Sequence, residues 1–190
     1  MLVLEMASQS ATGPQTQQSQ EKLQTIKALE ELASRLKNIL GSLAGSITVD
    51  KKSMAINIEV DKSKLLDVAK ILRGLGFEHV KSLTGVDHME LGIIELVIHV
   101  GSYRKGLRRF MVILRTKLDR KDPRAPTLVN IWPSSEFQER EAWEMFGIVF
   151  EGHPDLRRLL LPEEFEGLWP GRRDFAIVTR KAGEVEEPWK

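Results

Sequence analysis

The chain has no cysteine among its 190 residues. That excludes disulfides, cysteine–zinc sites, thiol catalysis and any iron–sulfur cluster held by this chain alone. It also lacks a long apolar run. Nothing approaches the roughly 20 residues that span a bilayer as a helix, and the opening Met-Leu-Val-Leu-Glu-Met is too short and too acidic to read as a signal peptide. Charge of one sign is missing too. The 28 basic and 27 acidic residues leave a net charge of +1, which argues against a uniform polyanion-binding surface. Aromatic residues make up only 6%.

The nucleotide loops are absent as well. Gly74-Leu-Gly76-Phe-Glu-His lacks a third glycine and follows a helical pattern rather than a strand. No glycine-rich loop carries a Walker lysine, and no Gly-x-Ser-x-Gly occurs. The four histidines, His79, His88, His99 and His153, are dispersed. None has the spacing of a helical zinc pair, so no metal is expected.

What is present reads as an α+β chain with an antiparallel sheet, helices on one face and a long extended C-terminal arm. Residues 1–20 are rich in Gln, Ser, Thr and Gly and read as a disordered leader. From Glu21 to Leu40, apolar residues recur at spacings of three and four, which predicts a helix ended by Gly41. Strands are expected at Ser46–Asp50 and Met54–Val60, then a helix over Lys64–Arg73 with Asp61 or Ser63 as cap. Three further strands, Phe77–His88, Ile93–Val100 and Leu107–Leu118, follow, the last two as a hairpin. Leu128–Trp132 reads as a short extended piece, and a helix follows over about 135–146, with Ser135 and Gln138 at capping-box spacing. The α+β domain is thus expected over 21–149. Residues 150–190 lose all periodicity yet keep many large apolar side chains, the pattern of an arm that docks on something.

Three constellations compete for function. Glu136, Glu139, Glu141 and Glu144 crowd one helix around Arg140. At 100° per residue, Phe137, Arg140, Glu141 and Glu144 share one side, and Glu139 falls with Ala142, Trp143 and Phe146 on the other. Glu141 with Glu144 could form an acid–base couple; Arg140–Glu144 could be a surface ion pair; Glu139, among apolar neighbours, needs a donor such as Arg157, Arg158, Arg172 or Arg173. Second, Tyr103–Arg124 holds nine basic residues against two acidic ones. That suggests a nucleic-acid module, an acidic protein partner or simply the solvated outer face of a half-exposed hairpin, and stacking aromatics are scarce.

The third is the run Glu139-Arg140-Glu141-Ala-Trp-Glu-Met-Phe146-Gly147-Ile-Val-Phe-Glu-Gly-His153-Pro154-Asp155-Leu-Arg157-Arg158-Leu-Leu-Leu-Pro162. It resembles the signature of the C subunit of respiratory NADH:quinone oxidoreductase (complex I) and of the equivalent subunit in membrane-bound energy-converting nickel–iron hydrogenases. Asn130-Ile-Trp-Pro upstream and Pro-Glu-Glu-Phe-Glu-Gly downstream fit the same family, and the likeness spans about residues 21–175. One departure is Gly167-Leu-Trp-Pro-Gly-Arg-Arg173-Asp174-Phe, where complex I relatives approach Arg-Asp-Phe differently; it favours a hydrogenase-type or other ancient relative. The resemblance implies a subunit without cofactor or catalytic residue. It would sit in a peripheral arm on the cytoplasmic side of the cell membrane, in a complex that couples electron transfer to ion translocation. Its implied neighbours are a hydrogenase-like large subunit and a small subunit that holds an iron–sulfur cluster.

Overall fold

The computed structural model describes residues 14–176. The expected leader falls outside the described residues over 1–13, as does the end of the expected arm, 177–190.

Helix α1 spans Pro14–Leu40 and so begins seven residues before the apolar period does. Only its second half meets the core. Leu29, Ala33, Leu36 and Leu40 are buried, whereas Leu23 and Ile39 are exposed. Each fully buried leucine contributes roughly 1.5–3 kcal/mol relative to its exposed state.

Strands β1 (Ala44–Asp50) and β2 (Ala55–Val60) form the first hairpin. Met54, expected as the first strand residue, instead closes the turn with φ +53°. Asp61 accepts hydrogen bonds from the Ser63 backbone and hydroxyl and so caps a short 3₁₀ turn that leads into α2, Leu65–Leu75. Strands β3 (His79–His88), β4 (Ile93–Gly101) and β5 (Met111–Asp119) follow. The sheet order is β1-β2-β5-β4-β3, antiparallel except where β2 runs parallel to β5.

One sheet face is covered. Ile56, Ile58, Leu83, Leu96, Ile98, Val112 and Leu114 meet α1 and α2 there, and the same core takes in Leu128, Trp132, Ala142, Ile148 and Phe150. The other face buries a small group at its centre, Ala55, Val97 and Ile113.

Residues 124–151 form a second unit on this core. Leu128–Trp132, expected to be extended, is a turn: Ile131 and Trp132 both donate to the Leu128 carbonyl. The strand lies just before it, β6 (Arg124–Pro126), paired in parallel with β7 (Val149–Glu151). Trp132 is fully buried, and its indole Nε1 donates to the Phe77 carbonyl at 2.8 Å, which ties the turn to the start of β3. A 3₁₀ turn at Pro133–Ser135 then starts α3, Glu136–Phe146.

Candidate functional site

Helix α3 is the scaffold of the signature residues. It lies on the covered side of β3, where Gly85 leaves room for it. A Cβ at Gly85 would stand 2.8 Å from the Phe146 ring. The expected faces are only half right. Glu139, Arg140, Ala142 and Glu144 are all buried, at 4% exposure or less, while Phe137 and Glu141 are exposed. A buried charge demands partners, and each of the three has them.

Glu139 binds no arginine, contrary to expectation. It accepts from the Thr127 hydroxyl at 2.6 Å, the Leu128 N–H at 2.8 Å and the Ser135 hydroxyl at 2.8 Å. Burial pushes its carboxyl above the usual range, and these three donors pull it back. The carboxylate thus pins the β6–α3 connection to the first turn of the helix. Ser135 serves this bond rather than a capping box, and Gln138 donates to the Ser134 carbonyl.

Arg140 and Glu144 hold the chain that returns after β7. Arg140 donates from Nε to the Arg157 carbonyl at 2.9 Å and from Nη2 to the Arg158 carbonyl at 2.7 Å. Its guanidinium also lies over the Phe137 ring, 5.7 Å from the centroid. Glu144 accepts from three consecutive backbone N–H groups, Leu159 at 3.2 Å, Leu160 at 2.9 Å and Leu161 at 2.7 Å. The two do not pair with each other; the Arg140 guanidinium instead reaches the Asp155 carboxylate at 4.0 Å. Together they grip the peptide groups of residues 157–161, where Arg157, Leu159 and Leu160 are exposed and Arg158 and Leu161 half-buried. Leu160 is 61% exposed and Leu159 38%.

The arginines expected to reach Glu139 or Glu141 have other partners. Arg157 donates from Nε to both oxygens of Asp155, at 3.0 and 2.8 Å, and that contact holds the Asp155 carboxyl below its usual range. Arg158 meets Glu166 at 3.3 Å. His153 closes the turn around Pro154: Nδ1 accepts from the Asp155 N–H at 3.0 Å, and Nε2 lies 3.2 Å from the Glu136 carbonyl, which fits the Nε2–H tautomer.

The Arg-Arg-Asp run closes the far end of α3. Gly147, with φ +77°, ends the helix in the left-handed conformation. The Met145 carbonyl accepts from the Gly171 N–H, and the Phe146 carbonyl from Arg172 Nε, both at 2.8 Å. One residue on, the Arg173 N–H donates to Asp87 at 2.9 Å, while the Arg173 side chain meets Glu90. Asp174 pairs with Arg120 at 2.7 Å. Arg120 in turn binds buried Asp87 through Nε at 2.7 Å and Nη2 at 3.1 Å. Hydrogen bonds from Arg120 hold the Asp87 carboxyl below its usual range.

The positions expected from the sequence signature are Glu139, Arg140, Glu141, Phe146, Gly147, His153, Pro154, Asp155, Arg157, Arg158, Arg173 and Asp174; Asp87, Arg120, Thr127, Gly171 and the role of Glu144 are not among them. Asp87 lies near the end of β3, inside the span expected to be a strand.

The basic hairpin divides differently from expectation. Five of its nine cations meet the chain's own carboxylates: Arg104–Glu78 at 2.7 Å, Arg115–Glu95 at 2.9 Å, Lys117–Glu59 at 3.9 Å, Arg120–Asp87 at 2.7 Å and Arg124–Asp122 at 2.8 Å. Its exposed aromatic, Tyr103, stacks on His79 at 4.1 Å. Among the described residues, no three His, Asp or Glu side chains are placed to hold a metal ion, and no helix is long and apolar enough to cross a membrane.

The comparisons with known proteins agree with the signature. The C subunit of NADH-quinone oxidoreductase from Azoarcus sp. (strain BH72) is 38% identical over 160 residues, which cover 78% of this chain and 77% of that one. The C subunit of F(420)H(2) dehydrogenase from Methanosarcina mazei is 36% identical over 121 residues, covering 63% and 75%. Among solved structures, a chain of the membrane-bound sulfane sulfur reductase, an archaeal respiratory membrane complex, superposes with a TM-score of 0.69 at 26% identity, over 78% of this chain and 86% of that one. Residues 58–181 match the family described as respiratory-chain NADH dehydrogenase, 30 Kd subunit. The chain belongs to that family and is thereby a subunit of a complex I-like oxidoreductase complex.

Proposed function

We propose that the chain is a cofactor-free structural subunit of the peripheral arm of a membrane-bound redox complex, on the cytoplasmic side. The complex would couple electron transfer to ion translocation. Its role is to hold a hydrogenase-like large subunit and an iron–sulfur-carrying small subunit together through the arm that begins at about residue 150. The names of the relatives include NADH, quinone and F(420)H(2); the redox chemistry would lie in the neighbouring subunits.

The observation that supports this reading is the clamp on residues 157–161. Two buried charged side chains fix a backbone whose apolar side chains remain uncovered, with Leu168 also 46% exposed. A chain that folded only for itself would gain by burying those leucines. The test is Leu160→Asp in the intact complex. The isolated variant should melt within about 0.5 kcal/mol of the parent, since it alters an exposed site, and it should fail to co-purify with the large subunit. Normal assembly would remove the docking role.

A further inference from the structure

We propose that the groove between the start of α1 and the β4–β5 connection binds an acidic segment of a partner polypeptide. This surface is separate from the clamp on α3 and lies at the other end of β5 from Arg120. Lys105, Arg108 and Arg109 line one wall; α1 supplies the other, including Gln24 and Glu21; Phe110 lies beneath. The recess holds about 500 Å³, room for a few side chains of an extended segment.

Four cations of this stretch meet no carboxylate of the chain among the described residues; three of them gather at this groove, and the fourth, Lys121, lies beyond the far end of β5. Five of the nine basic residues there are matched by carboxylates of this chain. Among the described residues, Lys105, Arg108 and Arg109 form no ion pair, and all three face one groove across from a single carboxylate, Glu21. The local imbalance is therefore concentrated where a recess can receive an anion.

The connection is also held in place before any ligand arrives. Glu78 takes the Tyr103 N–H at 3.0 Å and Arg104 Nε at 2.7 Å, fixing the base of the loop. The Leu107 and Arg108 N–H groups both donate to the Arg104 carbonyl at 3.1 Å, and the Phe110 N–H to the Leu107 carbonyl at 2.9 Å. Gly106, at φ +97°, makes the turn that a side chain would strain. Leu107 packs on the core and Phe110 is 5% exposed. With the backbone anchored between two inward-facing residues, Arg108 and Arg109 lose little main-chain freedom on binding. Their planar forks suit carboxylates.

The shape selects a polypeptide among anions. A single-stranded nucleic acid would want an exposed ring in the groove for its bases; Phe110 there is buried, and the exposed Tyr103 is stacked on His79 outside the groove lining. The phosphates of a membrane surface lie in a plane and cannot line both walls of a recess. A narrow acidic strand can place carboxylates on the cationic wall and peptide groups against the Gln24 amide.

The test places p-benzoylphenylalanine at position 24 of the full chain, within its purified complex, and maps the photo-cross-link by mass spectrometry. The expected product joins position 24 to a segment rich in Asp or Glu in another subunit. Arg108→Glu with Arg109→Glu should lower its yield about tenfold, with the melting temperature of the isolated chain unchanged. A cross-link to a non-acidic segment, to lipid or to nucleic acid would overturn the proposal. So would no cross-link, or an unchanged yield in the double variant.

Discussion

Arg140 and Glu144, one turn apart on α3, divide the two polar sides of a single stretch of backbone between them. Arg140 takes the carbonyls of residues 157 and 158; Glu144 takes the N–H groups of 159, 160 and 161. Glu144→Gln should loosen this grip, because an amide presents one acceptor and turns its NH₂ toward donors. Buried N–H groups left without acceptors cost about 1–3 kcal/mol. Amide exchange at Leu160 and Leu161 should accelerate, as read by hydrogen-exchange mass spectrometry. Unchanged protection there would show that the clamp does not hold the segment.

Neighbouring glutamates should behave in opposite ways. Glu139→Ala strands two hydroxyls and a backbone N–H in a fully buried site. It should lower the unfolding free energy by about 3 kcal/mol. Glu141→Ala alters an exposed position and should stay within about 0.5 kcal/mol of the parent. Urea melts of the two variants decide it, and equal effects would contradict the geometry.

Asp87 should mark the acid limb of stability. Its folded carboxyl titrates below the unfolded value of about 3.9. Its contribution is therefore complete above that value and disappears as the pH falls through the lower, folded value. Asp87→Asn should cost about 3 kcal/mol at pH 7, because it breaks a buried pair. It should also flatten the decline in stability as the pH falls below about 4. Thermal melts across that range are the measurement; a variant with the parent's acid slope would assign that limb to other groups.

Gly171→Ala should release the end of the returning chain. A Cβ there would stand 2.7 Å from Phe146 Cζ and 2.9 Å from the Met145 carbonyl oxygen. Overpacking of this kind costs about 1–3 kcal/mol. Trypsin should then cut after Arg172 or Arg173 faster than in the parent. An equal cleavage rate would mean that α3 absorbs the methyl group.

The sheet was legible where burial is one-sided. Ile56, Ile58 and Val60 alternate with polar neighbours, and all three face the helices. Ala55 was not legible, because a central strand buries its other face too. Helix α3 was placed by the Ser135–Gln138 spacing, although Ser135 turns out to bind Glu139 instead of capping, and its buried charges were misplaced. A helical wheel assumes one apolar neighbour surface, and α3 has the β3 side and the returning chain. Glu139 was rightly read as needing donors, yet the donors were hydroxyls and an N–H from a turn that had read as a strand. The partners of Arg140 and Glu144 are peptide groups, which every residue carries, so no side-chain pattern in 157–161 announces them. Asp87 and Arg120 are 33 positions apart in sequence and meet only because β3 and β5 end on the same side of the sheet.

The main-chain character of the α3 clamp separates hold from display. Glu144 binds N–H groups that nineteen of the twenty amino acids provide, and Arg140 binds carbonyls that all of them provide. The side chains at 157–161 can thus be rewritten one by one while the path of the chain stays the same. Proline at 159, 160 or 161 is the exception, since it removes the donor. A lineage could refit this surface to a different neighbour by point substitutions in five codons, with α3 untouched.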